Sequence, residues 1–122
     1  MGLMDRLLGR SDGARPIPVN GESFDELLLS NKYAVVDFWS KYCPPCHAVD
    51  PVVKKLAREY QGKVLFLKIS VTSNPQLAER FRVKSVPAFL FFVDGKLKDR
   101  RVGAMSYEAF KDWIESLIGG DQ

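Results

Sequence analysis

Runs of nearly unbroken apolar residues alternate along this chain with stretches whose apolar residues recur at helical spacing. "YAVVDFW" (33–39), "KVLFLKI" (63–69) and "AFLFFV" (88–93) are rich in β-branched and aromatic residues, which predicts strands buried on both faces. Ahead of the first run, Phe24, Leu27 and Leu28 share a helical face, and "SFDE" offers a capping box with Ser23 as N-cap and Glu26 three residues on. Val49, Val52, Val53, Leu56 and Tyr60 predict a second helix, with Pro51 inside it and expected to kink it. Asn74 before Pro75 marks a third helix start, with proline at the first helical position. Phe110, Trp113, Ile114, Leu117 and Ile118 predict a last helix, which Gly119-Gly120 is expected to close.

The order strand, helix, strand, helix, strand gives a βαβ unit. Asp94-Gly95 then reads as a hairpin turn into "KLKDRRV", adding an antiparallel edge pair. Strands apolar on both faces need helices on both sides, so the expected fold class is α/β, a mixed sheet between helices. Residues 1–15 differ from the rest. Leu3, Met4, Leu7 and Leu8 could form an apolar stripe on a short helix, and "GRSDGARP" reads as a flexible connector. The expected organisation is an N-terminal extension over 1–15, flexible or a short helix, and one domain over 16–122.

Composition narrows the function classes. A chain of 122 residues suits one domain, and 46% apolar residues suffice for a core without a disulfide scaffold. The formal net charge of +3 comes from mixed signs, so no nucleic-acid footprint is expected. The run "KLKDRR" (96–101) is interrupted by Asp99 and reads as a solvated strand face. "MGLMDRLLGR" holds acidic Asp5 and no apolar core of a secretory signal, and Arg6 stands where a myristoylation pattern needs Ser or Thr. No run reaches the length of a membrane span. The expectation is a soluble, cytoplasmic protein with no membrane partner, where a close cysteine pair is more often catalytic or metal-binding than structural.

Both cysteines lie in "FWSKYCPPCHAVDP" (38–51). Cys43 follows a strand and opens a helix, whose end carries partial positive charge and unpaired amides. A thiolate is favoured there, beside solvent, and becomes a nucleophile near neutral pH. Cys46, three residues on, faces the same side, so the two sulfurs can close a short disulfide. Pro44 and Pro45 lack N–H groups that a first helical turn does not need, and Pro44 pushes Cys43 towards the extended backbone of an N-cap. They also leave only Cys46 and later residues to offer amides to the Cys43 sulfur. Structural zinc needs four Cys or His ligands, and two cysteines with His47 cannot complete such a site in one chain, though a dimer could share one. An inert buried pair rarely needs two prolines between its members. Redox exchange is the reading that uses both, and a C-x-x-C beside a βαβ pattern is its known signature.

At this point the chain resembles the thioredoxin family. "VVDFWSKYCPPCHAVDP" looks like the family's strand, active-site loop and kinked helix, and "KSVPAFLFFVDGK" like its cis-proline segment. "RRVGAMSYEAFKDWIESL" looks like its last strand, glycine and final helix. The likeness covers roughly residues 16 to 118. It implies a five-stranded sheet and an enzyme that reduces protein disulfides by thiol exchange. Cys43 would attack and Cys46 would resolve. Asp37 would be the buried acid behind them, with Lys68 beside it on the adjacent strand. Trp39 would shelter the site, and Pro44, Pro45 and Lys68 would tune it. Pro87, after Val86, would be the cis-proline facing the disulfide, and Gly103 and Ala104 would complete a substrate surface with Tyr42 and Val86. No organic cofactor or metal is implied. The implied partners are disulfide-containing substrate proteins and an electron-donating reductase, and the protein would act as a monomer.

The departures are Tyr42-Cys43-Pro44-Pro45-Cys46 in place of Trp-Cys-Gly-Pro-Cys, and neutral Ser70 and Thr72 where the family often carries acids. The alternatives are a binding module whose redox activity is incidental, and a dedicated disulfide oxidant or isomerase. Asp37 is the one charge in a strand expected to be covered on both faces. Burial should therefore raise its pKa, and Lys68 should pull it partly back.

Overall fold

The central strand of the sheet, β2 (Tyr33–Trp39), is covered on both faces, and its neighbours set the topology. In the computed structural model, which describes residues 15–120, it pairs parallel with β3 (Val64–Ser70) and antiparallel with β4 (Ala88–Val93). β4 turns back into β5 (Lys96–Val102), and the short β1 (Ile17–Pro18) lies along β3, giving the order β1-β3-β2-β4-β5. The helices are α1 (Gly21–Leu29), α2 (Pro44–Glu59), α3 (Pro75–Arg80) and α4 (Tyr107–Gly120).

Strand alternation divides the core in two. Tyr33 and Val35 of β2 join Val64, Phe66, Phe89 and Phe91 under α2 and α4. Ala34, Val36 and Phe38 join Leu67, Ile69, Leu90 and Phe92 under α1 and α3. The same alternation puts Asp37 and Lys68, paired across β2 and β3, on the α2 face.

The apolar runs fall where the pattern predicts them: β2 and β4 match, and β3 lies one residue later than read. The hairpin turn forms at Asp94-Gly95, both with positive φ (51° and 81°), as a tight two-residue turn requires. A Cβ at Gly95 would lie 2.8 Å from Leu29 Cδ2, the tip of an exposed side chain that can move aside, so it is the positive φ that calls for glycine. "KLKDRR" lies in the edge strand β5, largely exposed.

Two readings are corrected, and one strand is added to those the pattern predicts. The N-cap of α1 is Asn20, whose Oδ1 accepts the Glu22 amide at 3.0 Å, so Ser23 and Glu26 lie inside the helix. Asn caps as well as Ser, and capping there gains three further residues of helix, with Glu22 favourably near its positive end. Asn74 stands before α3 with Pro75 at its first position, as read; its Nδ2 donates to the Ser70 carbonyl at 3.1 Å, and its side chain makes no cap bond. Gly119 and Gly120 lie within α4. β1 escaped the pattern altogether. The stripe Leu3, Met4, Leu7 and Leu8 lies outside the described residues. Among the described residues no helix is long and apolar enough to cross a membrane.

Candidate active site

β2 ends at Trp39, and four residues later the chain enters α2 with Cys43 at the N-cap position. Cys43 takes the extended backbone (φ −120°, ψ 100°) that Pro44 imposes on its predecessor, and the two prolines fill the first two helical positions. The loop is pinned by Ser40, whose carbonyl accepts the Cys43 amide and whose hydroxyl accepts the Tyr42 amide, each at 3.2 Å. Cys43 and Cys46 form a disulfide with their Cα atoms 5.2 Å apart. The Cys46 amide, the first after the prolines, points at Cys43 Sγ at 3.2 Å. The two cysteines are nearly equally covered, 8% and 6% exposed, so solvent access does not set Cys43 apart as the sequence leads one to expect. The amide aimed at its sulfur and its place at the helix end do.

Opposite the disulfide runs the Val86–Pro87 segment, joined by a cis peptide bond, with the Val86 carbonyl 3.5 Å from Cys43 Sγ. The Gly103 amide donates to the Pro87 carbonyl at 2.8 Å, which brings the end of β5 beside this segment. Gly103 has φ +99°, a conformation that side chains rarely adopt. Ala104 is exposed, and so is Tyr42, 77% accessible, with Lys41 Nζ 5.3 Å from its ring centroid.

Behind α2 lies the charge in the core. Asp37 is 3% exposed and its Oδ1 has no hydrogen-bond partner. Burial pushes its carboxyl up to about 7, Lys68 pulls it partly back, and Asp50 pushes it further up. Lys68 is the register partner of Asp37, but its ammonium hydrogen-bonds Asp50 Oδ1 at 3.3 Å and sits 4.4 Å from the Trp39 ring centroid. Asp50 also takes Lys54 on Oδ2 at 3.0 Å. Burial pushes the Asp50 carboxyl up, but its bonds and charge contacts with Lys54 and Lys68 outweigh this and hold it below the usual range.

Asp50 is the residue that sequence reasoning missed. Its signal was its place one helical turn after Cys46, on the side where Val49 and Val53 are buried. His47 enters the sequence reading only as a metal candidate. Its Nε2 lies 2.7 Å from the Lys41 carbonyl, and its ring meets the edge of Trp39 at 6.4 Å, closing the loop over the helix start. Among the described residues no group of three or more His, Cys, Asp or Glu is placed to hold a metal ion.

The chain is similar to known proteins. The family model described as Thioredoxin matches residues 15–116. Thioredoxin 1 of Chlorobaculum tepidum is 37% identical over 99 residues, covering 80% of this chain and 98% of that protein. A chloroplastic M-type thioredoxin of Pisum sativum is 36% identical over 101 residues, covering 82% of this chain and 59% of that protein. The solved structure of a mutant thioredoxin from Halobacterium salinarum superposes with a TM-score of 0.78 at 35% identity, over 84% of this chain and 89% of that one. With the paired cysteines seated at the head of α2, these likenesses establish that the chain belongs to the thioredoxin family of thiol–disulfide oxidoreductases.

Proposed function

We propose that the protein reduces disulfides in other proteins, with Cys43 as the attacking thiolate, Cys46 as the resolving thiol and Asp37 as its proton acceptor. The observation that carries this reading is the Cys46 amide aimed at Cys43 Sγ at the positive end of α2. In the reduced enzyme that amide and the helix end favour the anion on Cys43. The thiolate attacks one sulfur of the substrate disulfide. The substrate bond breaks and its other sulfur leaves as a thiolate that takes a proton from water. Cys46 then gives its proton to Asp37 and attacks Cys43 Sγ. The mixed disulfide breaks, the second substrate thiolate departs, and the Cys43–Cys46 bond holds the two electrons' worth of oxidation. A partner reductase returns two electrons and two protons.

The surface beside the disulfide supports binding of an extended substrate segment: Tyr42 and Ala104 are exposed, Val86 and Gly103 are half-buried, and Pro87 is buried. Trp39 and Lys68 pack behind it, and Pro44 and Pro45 limit the amides available to the thiolate. On this reading the protein acts as a monomer in a reducing compartment such as the cytoplasm.

Insulin-disulfide reduction driven by dithiothreitol tests it. Cys43→Ser is expected to abolish the rate above background, and Cys46→Ser to accumulate mixed disulfides with substrate. A wild-type rate no greater than background would favour a binding module instead. Faster alkylation of Cys46 than of Cys43 at neutral pH would reverse the two roles.

A further inference from the structure

A buried carboxylate with an ammonium across the strand pair would ordinarily take it as its partner, since an unpaired charge in the core is costly. Here that pairing is not made. Asp37 Oδ1 is left without a partner, while the hydrogen bond of the Lys68 ammonium goes to Asp50. Asp50 reaches Lys68 from α2, one turn beyond Cys46, and is itself steadied by Lys54 on its other oxygen. The Trp39 ring meets the same ammonium at 4.4 Å. Lys68 is thus held between a carboxylate and an aromatic face.

We propose that Asp50 is a positioning residue that holds Lys68 back from Asp37, leaving Asp37 free to take up and release the Cys46 proton. The inference rests on Asp37 being that acceptor. A thiol titrates ordinarily near 8.5 and a free aspartate near 3.9, so an ordinary carboxylate is a weak base towards Cys46. A full ion pair with Lys68 would make Asp37 weaker still. Diverting Lys68 leaves the carboxylate in an environment that favours its protonated form, closer to the thiol it serves. Among the described residues, the charged groups that face Asp37 are Lys68 from β3 and Asp50 from α2. Its register partner on β4 is apolar Phe89, and Lys54 pairs with Asp50.

The test follows Asp37 by carboxyl-carbon NMR across pH in the oxidised full-length protein. The Asp50→Asn variant is expected to lower the midpoint of Asp37 by about one pH unit, a tenfold loss of proton affinity. Asp50→Glu, which keeps the carboxylate, should hold it near the wild-type value. Lys68→Gln should raise it, and Asp50→Asn added to Lys68→Gln should move it far less than Asp50→Asn alone. An unmoved midpoint in Asp50→Asn overturns the proposal. So does an equal shift with and without Lys68, because Asp50 would then act only through its own charge. Release of a mixed disulfide, timed across pH in the same variants, separates the two readings. If the midpoint moves as expected and release at neutral pH slows several-fold, both stand. If the midpoint moves and release does not change, Asp50 positions Lys68 but Asp37 is not the acceptor.

Discussion

The two faces of the sheet are built from the same strands and are put to different uses. The face under α1 and α3 is apolar throughout its core, from Phe24 and Leu28 to Phe38, Leu67, Ile69 and Phe92. Its rings meet edge to face, Phe24 with Phe81 at 5.6 Å and Phe81 with Phe92 at 5.5 Å. The face under α2 and α4 has aromatic packing of its own, with Phe89 against Phe110 at 4.7 Å, yet carries Asp37 and Lys68 at the end of the strands nearest the disulfide. One face holds the fold, and the other holds it while keeping a proton site in reach of a thiol. The charge sits where α2 begins, and Tyr33, Val35, Phe91 and Trp113 pack together elsewhere on that face.

Breaking the apolar face should have the largest effect. Phe24 is fully buried, and Phe24→Ala is expected to lower the unfolding free energy by about 3–5 kcal/mol in a urea melt. The rate of insulin reduction per folded molecule should stay close to wild type. A loss of rate with most of the stability retained would mean that the two faces are not separable.

The charged face should respond to pH. Burial raises Asp37 from an ordinary 3.8 to about 7, so between these values the folded chain holds a proton that the unfolded chain has lost. Stability should therefore fall as pH rises through that window, by on the order of 4 kcal/mol in full, and level off above it. Asp37→Asn removes the titrating group. It should be more stable than wild type at pH 8 by about 2 kcal/mol or more, with the gap closing towards pH 4. Denaturant melts at both pH values check this, and a constant gap would show that Asp37 does not titrate in the window.

The smallest effect sharpens the boundary of the apolar face. Arg82, exposed just after α3, has φ 56°, and the amides of Arg82 and Val83 close back on Glu79 and Ala78. This is the left-handed helix end where glycine is preferred. Arg82→Gly is expected to raise the unfolding free energy by about 0.5–1 kcal/mol without changing activity. A drop would show that the Arg82 side chain makes a contact worth more than the backbone relief.

The strands were legible because β2 and β4 are covered on both sides, and a run such as "AFLFFV" suits little else. The sheet's first strand was not, because Ile17–Pro18 is too short to show a period and Pro18 argues against a strand. The choice of Asn20 over Ser23 as N-cap was hidden for a different reason. Both are good caps, and the difference lies in how far back the chain can stay helical. The cysteine spacing, the hairpin and the buried Asp37 were all visible locally. Asp50 was not, since with Lys54 four residues on it reads as a solvated helix pair. Only the packing of α2 over β3 brings Lys68 to it.

Pro51 has one consequence for motion. It lies inside α2 and has no amide hydrogen, so the His47 carbonyl lacks the donor that would sit one turn ahead of it. The turn that bears the disulfide is joined to the remainder of the helix by one rung fewer than a continuous ladder provides. Val53, Leu56 and Ala57 anchor the later turns in the core, while Pro44, Pro45 and His47 lie exposed. The first turn is therefore coupled to the rest of α2 less tightly than an unbroken ladder would couple it. A looser joint at Pro51 lets the disulfide-bearing turn adjust while the turns anchored in the core keep their place.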